Sequence, residues 1–239
     1  MDLDPGTIAI IQLAWSRGLG LDDGALADAD ANERIYHVTA EPRQVSFVRL
    51  FGREVFCGPE WAADYVRSKS LTELTRGSTL MRLSHDVGGR ALGTELLYFA
   101  DTFPTLFPAE DYAVGEDPLL VSALERLCPP DDVSEAGLSA RDSVFTLVDD
   151  SAGEERVLSG AGYSLSEGIL ADMSVLTAPS VRCRGLGSYI SAVAVEDAMA
   201  AGLIPQWRVE SGNVGAARTA VSSGFIAAGL RASVALPAA

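Results

Sequence analysis

The stretch VRCRGLGSYI at residues 181–190 decides which fold this sequence predicts. Two arginines flank a cysteine, two glycines follow with one residue between them, and an apolar run begins directly afterwards. A strand before this loop and a helix after it would place unpaired N–H groups and the positive end of a helix dipole at the loop, which is the geometry that captures an anion. Gly185 and Gly187 would let the backbone approach a phosphate closely, and Arg182 and Arg184 could add charge-assisted hydrogen bonds.

Two familiar phosphate-binding loops do not fit this stretch. A Rossmann fingerprint requires a third glycine, and Ile190 stands in its place. A Walker A loop requires Gly-Lys-Ser/Thr, and the only lysine in the chain is Lys69. The plain alternative is a helix start that uses glycine only to pack against a strand.

Composition and length indicate a globular protein. The chain has 239 residues, of which 48% are hydrophobic, enough for one large domain or two small ones. Charges and glycines interrupt every apolar run well short of the roughly 20 residues of a bilayer span. The N-terminus is acidic and lacks the basic region of a signal peptide, which predicts a cytoplasmic protein.

Charge and cysteine usage exclude several classes of function. The net charge of −15 argues against non-specific binding to nucleic acid or to anionic membranes. Residues 1–139 carry 23 acidic and 11 basic side chains, whereas residues 140–239 carry 10 and 7, so an anionic ligand is easier to bind in the second part. Cys57, Cys128 and Cys183 are far apart with no CxxC spacing, which predicts neither a zinc site nor a disulfide framework.

The prolines and acidic residues within 107–142 predict connecting material around one short helix. We therefore expect an N-terminal α/β domain at 1–130, a linker at 131–139 and a second domain at 140–239.

Hydrophobic periodicity predicts the elements on both sides of this linker. Before it we expect a helix over 8–21, strands over 44–52 and 53–59, a single helix over 60–77, and a segment at 91–101 that is a helix or a strand. After it the expected order is β-β-β-α-β-α-β, with strands at 143–150 and 156–165 joined by a turn at 150–155. The remaining elements are a strand at 169–179, a helix at 187–202, a strand at 206–210, a helix at 214–224 and a strand or strand pair at 225–236.

The loop and its surroundings resemble the GNAT acyltransferase superfamily over about residues 140–239. The pyrophosphate loop of that family, Arg/Gln-x-x-Gly-x-Gly/Ala, is matched by Arg182, Gly185 and Gly187. The closing pattern of the family, an asparagine, a short helix and Gly-Phe, is matched by Asn213, Ala216, Gly224 and Phe225.

The resemblance implies a mixed α/β sheet that splays apart after the strand at 169–179, with flanking helices and a smaller α/β domain before it. Acyl-CoA would lie in the split, with Val175, Leu176 and Thr177 offering main-chain groups to the pantetheine arm and the thioester. Asn213 would bind the pantetheine or fix a helix start. The pyrophosphate would lie against the loop residues Arg182, Cys183, Arg184, Gly185, Leu186, Gly187 and Ser188.

The sequence departs from the family at its two best-known proton-transfer positions. A tyrosine acid is replaced by Ala220, and a glutamate base is replaced by Arg208. We expect Asp172, and less strongly Glu167, to serve as the base. Tyr163 is either an acid or a core residue, and no role is assigned to His37 and His85.

The function implied by the resemblance is an N-acetyltransferase that moves the acyl group of acetyl-CoA to a primary amine by direct attack in a ternary complex, without a metal. The alternatives are an acyl-CoA-binding regulatory module without turnover and an interaction protein that keeps the fold. The acceptor would be a small-molecule or peptide amine. The acidic first part suits a cationic acceptor, although ordinary solubilising charge explains it equally well. We expect a monomer or homodimer, with neither nucleic acid nor membrane as a partner.

Overall fold

The computed structural model describes residues 2–30, 33–39, 43–105, 112–150 and 156–237. The chain forms two compact units. Unit 1 comprises Met1–Leu3, Phe99–Trp207 and Gly215–Ile226, and unit 2 comprises Asp4–Tyr98, Arg208–Val214 and Ala227–Ala239. The predicted mixed α/β class is confirmed. A separate N-terminal domain is not confirmed, and the boundary at 131–139 stays a prediction; in the structure that segment lies within unit 1.

Unit 2 is built on strands in the order β1-β3-β2-β10-β4. β1 is parallel to β3, whereas β2 is antiparallel to both β3 and β10. Its elements are α1 Pro5–Gly18, α2 Ala25–Asp28, β1 Arg34–Val38, β2 Gln44–Leu50, β3 Arg53–Gly58, α3 Glu60–Arg67, α4 Leu71–Leu74, α5 Gly77–His85, β4 Arg90–Phe99 and β10 Ile226–Ala235.

Local capping decides where the helices of unit 2 begin and end. The carboxylate of Asp4 accepts a hydrogen bond from the Gly6 N–H at 2.8 Å and begins α1. The single helix predicted over 60–77 is wrong, because Ser70 and Glu73 form a capping box that begins a new helix after α3. The guanidinium of Arg34 donates to the carbonyls of Val66 and Lys69 at the end of α3, at 3.0 and 3.2 Å. The segment at 91–101, for which the sequence left helix and strand open, forms the strand β4. Phe47 of β2 and Phe56 of β3 are buried in a cluster with residues of α3.

Unit 1 is built on strands in the order β9-β8-β7-β6-β5. β8 is parallel to β9, and the other pairs are antiparallel. Its elements are β5 Ala113–Gly115, α6 Pro118–Leu127, α7 Pro130–Ala136, a 3-10 turn at Leu138–Ala140, β6 Ser143–Asp149, β7 Arg156–Ser166, β8 Leu170–Thr177, a 3-10 turn at Pro179–Val181, α8 Leu186–Ala200, β9 Ile204–Glu210 and α9 Val214–Ser222.

The order β-β-β-α-β-α-β predicted for the second half is confirmed by β6, β7, β8, α8, β9, α9 and β10. Of the segment 107–142, the described residues 112–142 contain two α-helices, α6 and α7, where one was predicted. Of the predicted turn at 150–155, residues 151–155 lie outside the described residues.

Helices cover both faces of the sheet in unit 1. α8 packs on the face that carries Tyr163, whose hydroxyl donates to Asp197 of that helix. α6 and the turn at 138–140 pack on the other face, where a Cβ on Gly160 would meet the side chains of Leu138 and Leu124. Among the described residues, no helix is both long and apolar enough to cross a membrane.

Candidate functional site

The sheet of unit 1 opens along one edge of β8. All eight residues of β8 pair with β7, but only Leu170, Ala171 and Asp172 pair with β9. From Met173 to Thr177 no strand of the described part of unit 1 covers this edge. The predicted splay after this strand is therefore present.

Alternation along β8 decides which main-chain groups lie at the open edge. The Ala178 N–H donates to the Leu158 carbonyl at 2.9 Å, so even-numbered residues turn their main-chain groups toward β7. Ile169 accepts from the Ile204 N–H at 3.0 Å, so odd-numbered residues face the β9 side. The open edge consequently presents Val175 and the N–H of Thr177.

The alternation directs the main chain of Leu176 toward β7 and away from this edge, and its contact with acyl-CoA stays a prediction. Leu176 is paired with Gly160 of β7, and its carbonyl also accepts a hydrogen bond from Ser159 Oγ at 3.0 Å. The side chain of Leu176 is buried in the core.

The predicted loop connects this open strand to α8. Cys183 and Gly185 adopt left-handed conformations with φ of 61° and 82°, a pattern typical of backbone concavities that bind anions. α8 begins at Leu186 without a side-chain cap, and its first helical hydrogen bond runs from the Tyr189 N–H to the Gly185 carbonyl at 3.0 Å. The N–H groups of residues 186–188 therefore precede the helical ladder and are available to a ligand.

The two glycines of the loop are needed for different reasons. A Cβ on Gly185 would find no atom within 4 Å, so open space surrounds this position and the positive φ is what requires glycine. A Cβ on Gly187 would lie 3.0 Å from Thr177 Oγ1. The packing explanation therefore holds for Gly187, and Gly185 shapes the loop itself.

The two arginines of the loop also differ. Arg182 donates from Nε to the Thr177 carbonyl at 3.0 Å and from Nη2 to Asp132 at 2.6 Å, which ties the loop to the end of β8 and to α7. Cys128 Sγ lies 3.8 Å from the same carbonyl, and burial raises the pKa of its thiol. Arg184 is exposed, and within the described parts of the chain it has neither an ion pair nor a hydrogen-bond partner. Arg184 is thus the loop cation that a bound anion can recruit.

α9 is tied to the first turn of α8. Ser188 Oγ lies 2.7 Å from Ser222 Oγ, at the last residue of α9. Asn213 belongs to unit 2 and directly precedes α9, and its N–H donates to the Glu210 carbonyl at 2.8 Å.

Ala220 and Arg208 stand where the family resemblance would place a tyrosine acid and a glutamate base. Ala220 is fully buried, so a larger side chain has no space there. Arg208 lies 4.0 Å from Glu95 of β4, within unit 2. Glu95 is a carboxylate that sequence reasoning missed, because the pattern of 91–101 did not distinguish a strand from a helix.

The two predicted bases occupy opposite environments. Asp172 is only 7% exposed and contacts Arg141 and Gln206. Glu167 is exposed in the turn between β7 and β8, where it and Gly168 both have positive φ. At about 3.3 Å per residue, Glu167 lies roughly 25 Å along the strand from Val175. The structure therefore does not bring Glu167 to the loop.

The remaining titratable side chains of interest are Tyr163, His37 and His85. The Tyr163 hydroxyl donates to Asp197 Oδ2 at 2.5 Å, and burial together with this hydrogen bond raises its pKa. His37 lies in β1 and His85 ends α5, both in unit 2. Among the described residues, no group of three His, Cys, Asp or Glu side chains could hold a metal ion.

The whole architecture matches a solved structure. A GCN5-related N-acetyltransferase from Sphaerobacter thermophilus is 14% identical over 97% of this chain and 93% of its own, with a TM-score of 0.51. The fold is the GNAT acetyltransferase fold. A Drosophila protein from a structural genomics programme is 12% identical over 78% of this chain and 70% of its own, with a TM-score of 0.50.

Other GNAT structures match more partially. An acetyltransferase of the GNAT family from Colwellia psychrerythraea is 18% identical over 60% of this chain and 56% of its own, with a TM-score of 0.46. No protein-family model matches the sequence, and no curated protein matches it.

Proposed function

We propose that this protein is an acetyl-CoA-dependent N-acetyltransferase. The observation that carries the proposal is the open edge of β8, which runs through the short turn at 179–181 into a helix start without a side-chain cap. Arg184 lies beside this helix start and has no polar partner among the described residues. An acyl-CoA molecule carries amides that suit a strand edge and, further along, a pyrophosphate that suits a helix N-terminus.

Each part of acyl-CoA has a matching group on this surface. The Val175 N–H would donate to the thioester carbonyl, and the Val175 carbonyl and the N–H of Thr177 would bond to the pantetheine amides. The pyrophosphate would accept hydrogen bonds from the loop and from the first turn of α8, and Arg184 would add a charge-assisted contact. Arg182 would hold the loop in place, because its guanidinium is already bound to Thr177 and Asp132.

The reaction is a direct transfer to a primary amine on a small molecule or peptide. The neutral amine nitrogen attacks the thioester carbonyl carbon and the carbonyl oxygen becomes negatively charged. The carbonyl then re-forms as the C–S bond breaks to release the CoA thiolate, and the nitrogen gives up its extra proton to water, which leaves the amide. Main-chain N–H groups at the edge would stabilise the oxyanion. Holding both reactants together supplies much of the rate. A thiol with a pKa of about 8.5 leaves without a dedicated acid.

A second candidate function is an acyl-CoA-binding regulatory module. Ala220 and Arg208, at the usual acid and base positions, favour it. Release of free thiol from acetyl-CoA with a panel of amines, including polyamines and peptide N-termini, separates the two functions: turnover above the rate in buffer supports the enzyme.

The binding site is tested by calorimetry with CoA and with pantetheine. We expect Arg184→Glu to weaken CoA binding about tenfold or more and to leave pantetheine binding unchanged, because the reversed charge repels the pyrophosphate. Arg126→Glu, at an exposed arginine of α6, is the matched control and should bind CoA normally. An equal loss of affinity for pantetheine would overturn the assignment of the loop.

A further inference from the structure

Three polar side chains cluster where β9 leaves β8, two of them buried and the third partly exposed. They are Arg141, which follows the turn at 138–140, Asp172 of β8 and Gln206 of β9. Asp172 and Gln206 are 7% and 3% exposed, and the side chain of Arg141 is 20% exposed. Asp172 and Gln206 also form the last residue pair of the β8–β9 ladder.

The contacts of this cluster bridge three elements of unit 1. Gln206 Nε2 donates to Asp172 Oδ1 at 3.3 Å, which links β9 to β8 through side chains. Arg141 Nη1 lies 3.6 Å from Asp172 Oδ2 and donates to the Asp172 carbonyl at 3.3 Å. Its Nε donates to Ser174 Oγ at 3.1 Å, and Nη2 donates to the Ala136 carbonyl at 3.2 Å. Arg141 therefore donates hydrogen bonds to two residues of β8 and to the last residue of α7.

Stability alone does not explain a buried ion pair at this point. Replacing such a pair by apolar side chains is often neutral or stabilising, because two charges lose their hydration when they are buried. The cluster sits at one specific place, the last paired residues before the edge opens. A further step of the parallel ladder would occupy the Val175 N–H, which the open edge now presents.

We propose that Arg141, Asp172 and Gln206 are positioning residues that fix where β9 leaves β8 and thereby set the length of edge open to the pantetheine arm. The proposal rests on the proposed function for its consequence in ligand binding. Both carboxylate oxygens of Asp172 face protein partners, which suits a positioning role better than proton transfer to bulk solvent. The alternative, Asp172 as the general base, makes different predictions.

The first test measures the strand junction itself. Amide hydrogen exchange across 204–207 should become faster in Arg141→Gln, because this variant loses the ion pair with Asp172 and the guanidinium hydrogen bonds to β8. Arg17→Gln removes an arginine from an exposed ion pair with Asp23 and is the matched control; it should leave exchange at 204–207 unchanged. Unchanged exchange in Arg141→Gln overturns the proposal, whether or not the protein binds CoA.

The second test measures ligand binding by calorimetry. CoA should bind about tenfold more weakly to Arg141→Gln than to the wild type. Adenosine 3′,5′-bisphosphate, which lacks the pantetheine arm, should bind equally to both. If the wild type does not bind CoA, the proposed function fails, and the exchange experiment still decides the positioning role. If the wild type binds CoA and Arg141→Gln binds it equally well, the positioning role is wrong.

The third test separates positioning from catalysis. Asp172→Asn keeps an acceptor for Gln206 and loses the charge opposite Arg141. A positioning role raises KM for acetyl-CoA and leaves the shape of the kcat–pH profile unchanged. If Asp172 is the base, the wild type has an acidic limb that stays at one pH for acceptors of different pKa. Loss of that limb in Asp172→Asn with unchanged CoA affinity would overturn the proposal. If a single variant fails to fold, the pair Arg141→Met with Asp172→Leu keeps the volume without buried charge and should fold, yet bind CoA about tenfold more weakly. Unchanged CoA affinity in that folded double variant would also overturn the proposal.

Discussion

The two halves of β8 share β7 as the neighbouring strand on one edge, but they differ on the other edge. Both halves pair with β7 along their full length. The first half, Leu170–Asp172, also pairs with β9 and ends in the buried contacts of Asp172. The second half, from Met173 onward, has an open edge and leads through the turn at 179–181 into the loop before α8.

This difference shows how one strand can be fixed by pairing along one part and keep an unpaired edge along the other. The first half pairs with a strand along each of its two edges, so its main-chain groups form hydrogen bonds within the protein. Within the described part of unit 1 the second half pairs with β7 alone, so the main chain of Val175 and the N–H of Thr177 lie at the open edge, whereas the Thr177 carbonyl accepts from Arg182. The following predictions test this comparison, beginning with the largest expected effect.

Proline substitutions at neighbouring positions separate the two edges of the second half. Val175→Pro removes an N–H from the open edge, where proline is tolerated. We expect a folded protein whose rate of thiol release falls about 100-fold, because a donor to the thioester is lost. Leu176→Pro is the matched variant: it removes a ladder N–H and should destabilise the fold by about 3 kcal/mol or more in thermal unfolding. The reverse pattern would show that the register of the open edge is assigned incorrectly.

Valine at Gly185 tests the loop that continues the open half. A β-branched residue is strained at φ 82°, so CoA should bind about 30-fold more weakly in calorimetry. Gly202, just after α8, has φ 78° and equally open surroundings. Gly202→Val should therefore lose similar stability but bind CoA normally. Equal CoA affinity in both variants would show that the loop begins α8 but does not bind CoA.

The pH dependence tests whether the buried first half takes part in proton transfer. The rate should rise about tenfold per pH unit up to the pKa of the acceptor amine, since only the neutral amine attacks. Two acceptors whose pKa values differ by about one unit should shift the profile by that amount. A limb that stays at one pH for both acceptors would reveal an ionising group of the protein.

The smallest effect on rate is expected from a substitution in α9, Ala220→Tyr. Ala220 occupies the position where the resemblance places a tyrosine acid, and it is fully buried. Ala220→Tyr should overpack the site and cost about 1–3 kcal/mol of unfolding free energy, with no gain in turnover per folded molecule. Faster thiol release by this variant would show that the site needs the acid it lacks.

Local patterns in the sequence were sufficient to predict most elements of the second half. The strands at β6, β7 and β8 and the helices α8 and α9 follow from period-two and helical spacing, because these periodicities are set by neighbouring residues. The loop was found from two glycines and two arginines within a few positions. Sequence reasoning missed β1 and also missed the break at Ser70, where a short-range capping box overrides a continuous apolar pattern.

The assignment of roles within the site required the tertiary structure. The sequence alone determined that a Gly/Arg loop lies between a strand and a helix, since all of those signals are adjacent in the chain. Only the fold decided that Arg182 is bound to Asp132 and Arg184 is not, that Gly187 packs against Thr177, and that Asp172 is held by Arg141. Arg182 and Asp132 are 50 residues apart in sequence, and Arg141 and Asp172 are 31 apart. No local spacing encodes which distant side chain arrives at a given position. The open edge of β8 has the same cause, because it depends on where another strand stops pairing.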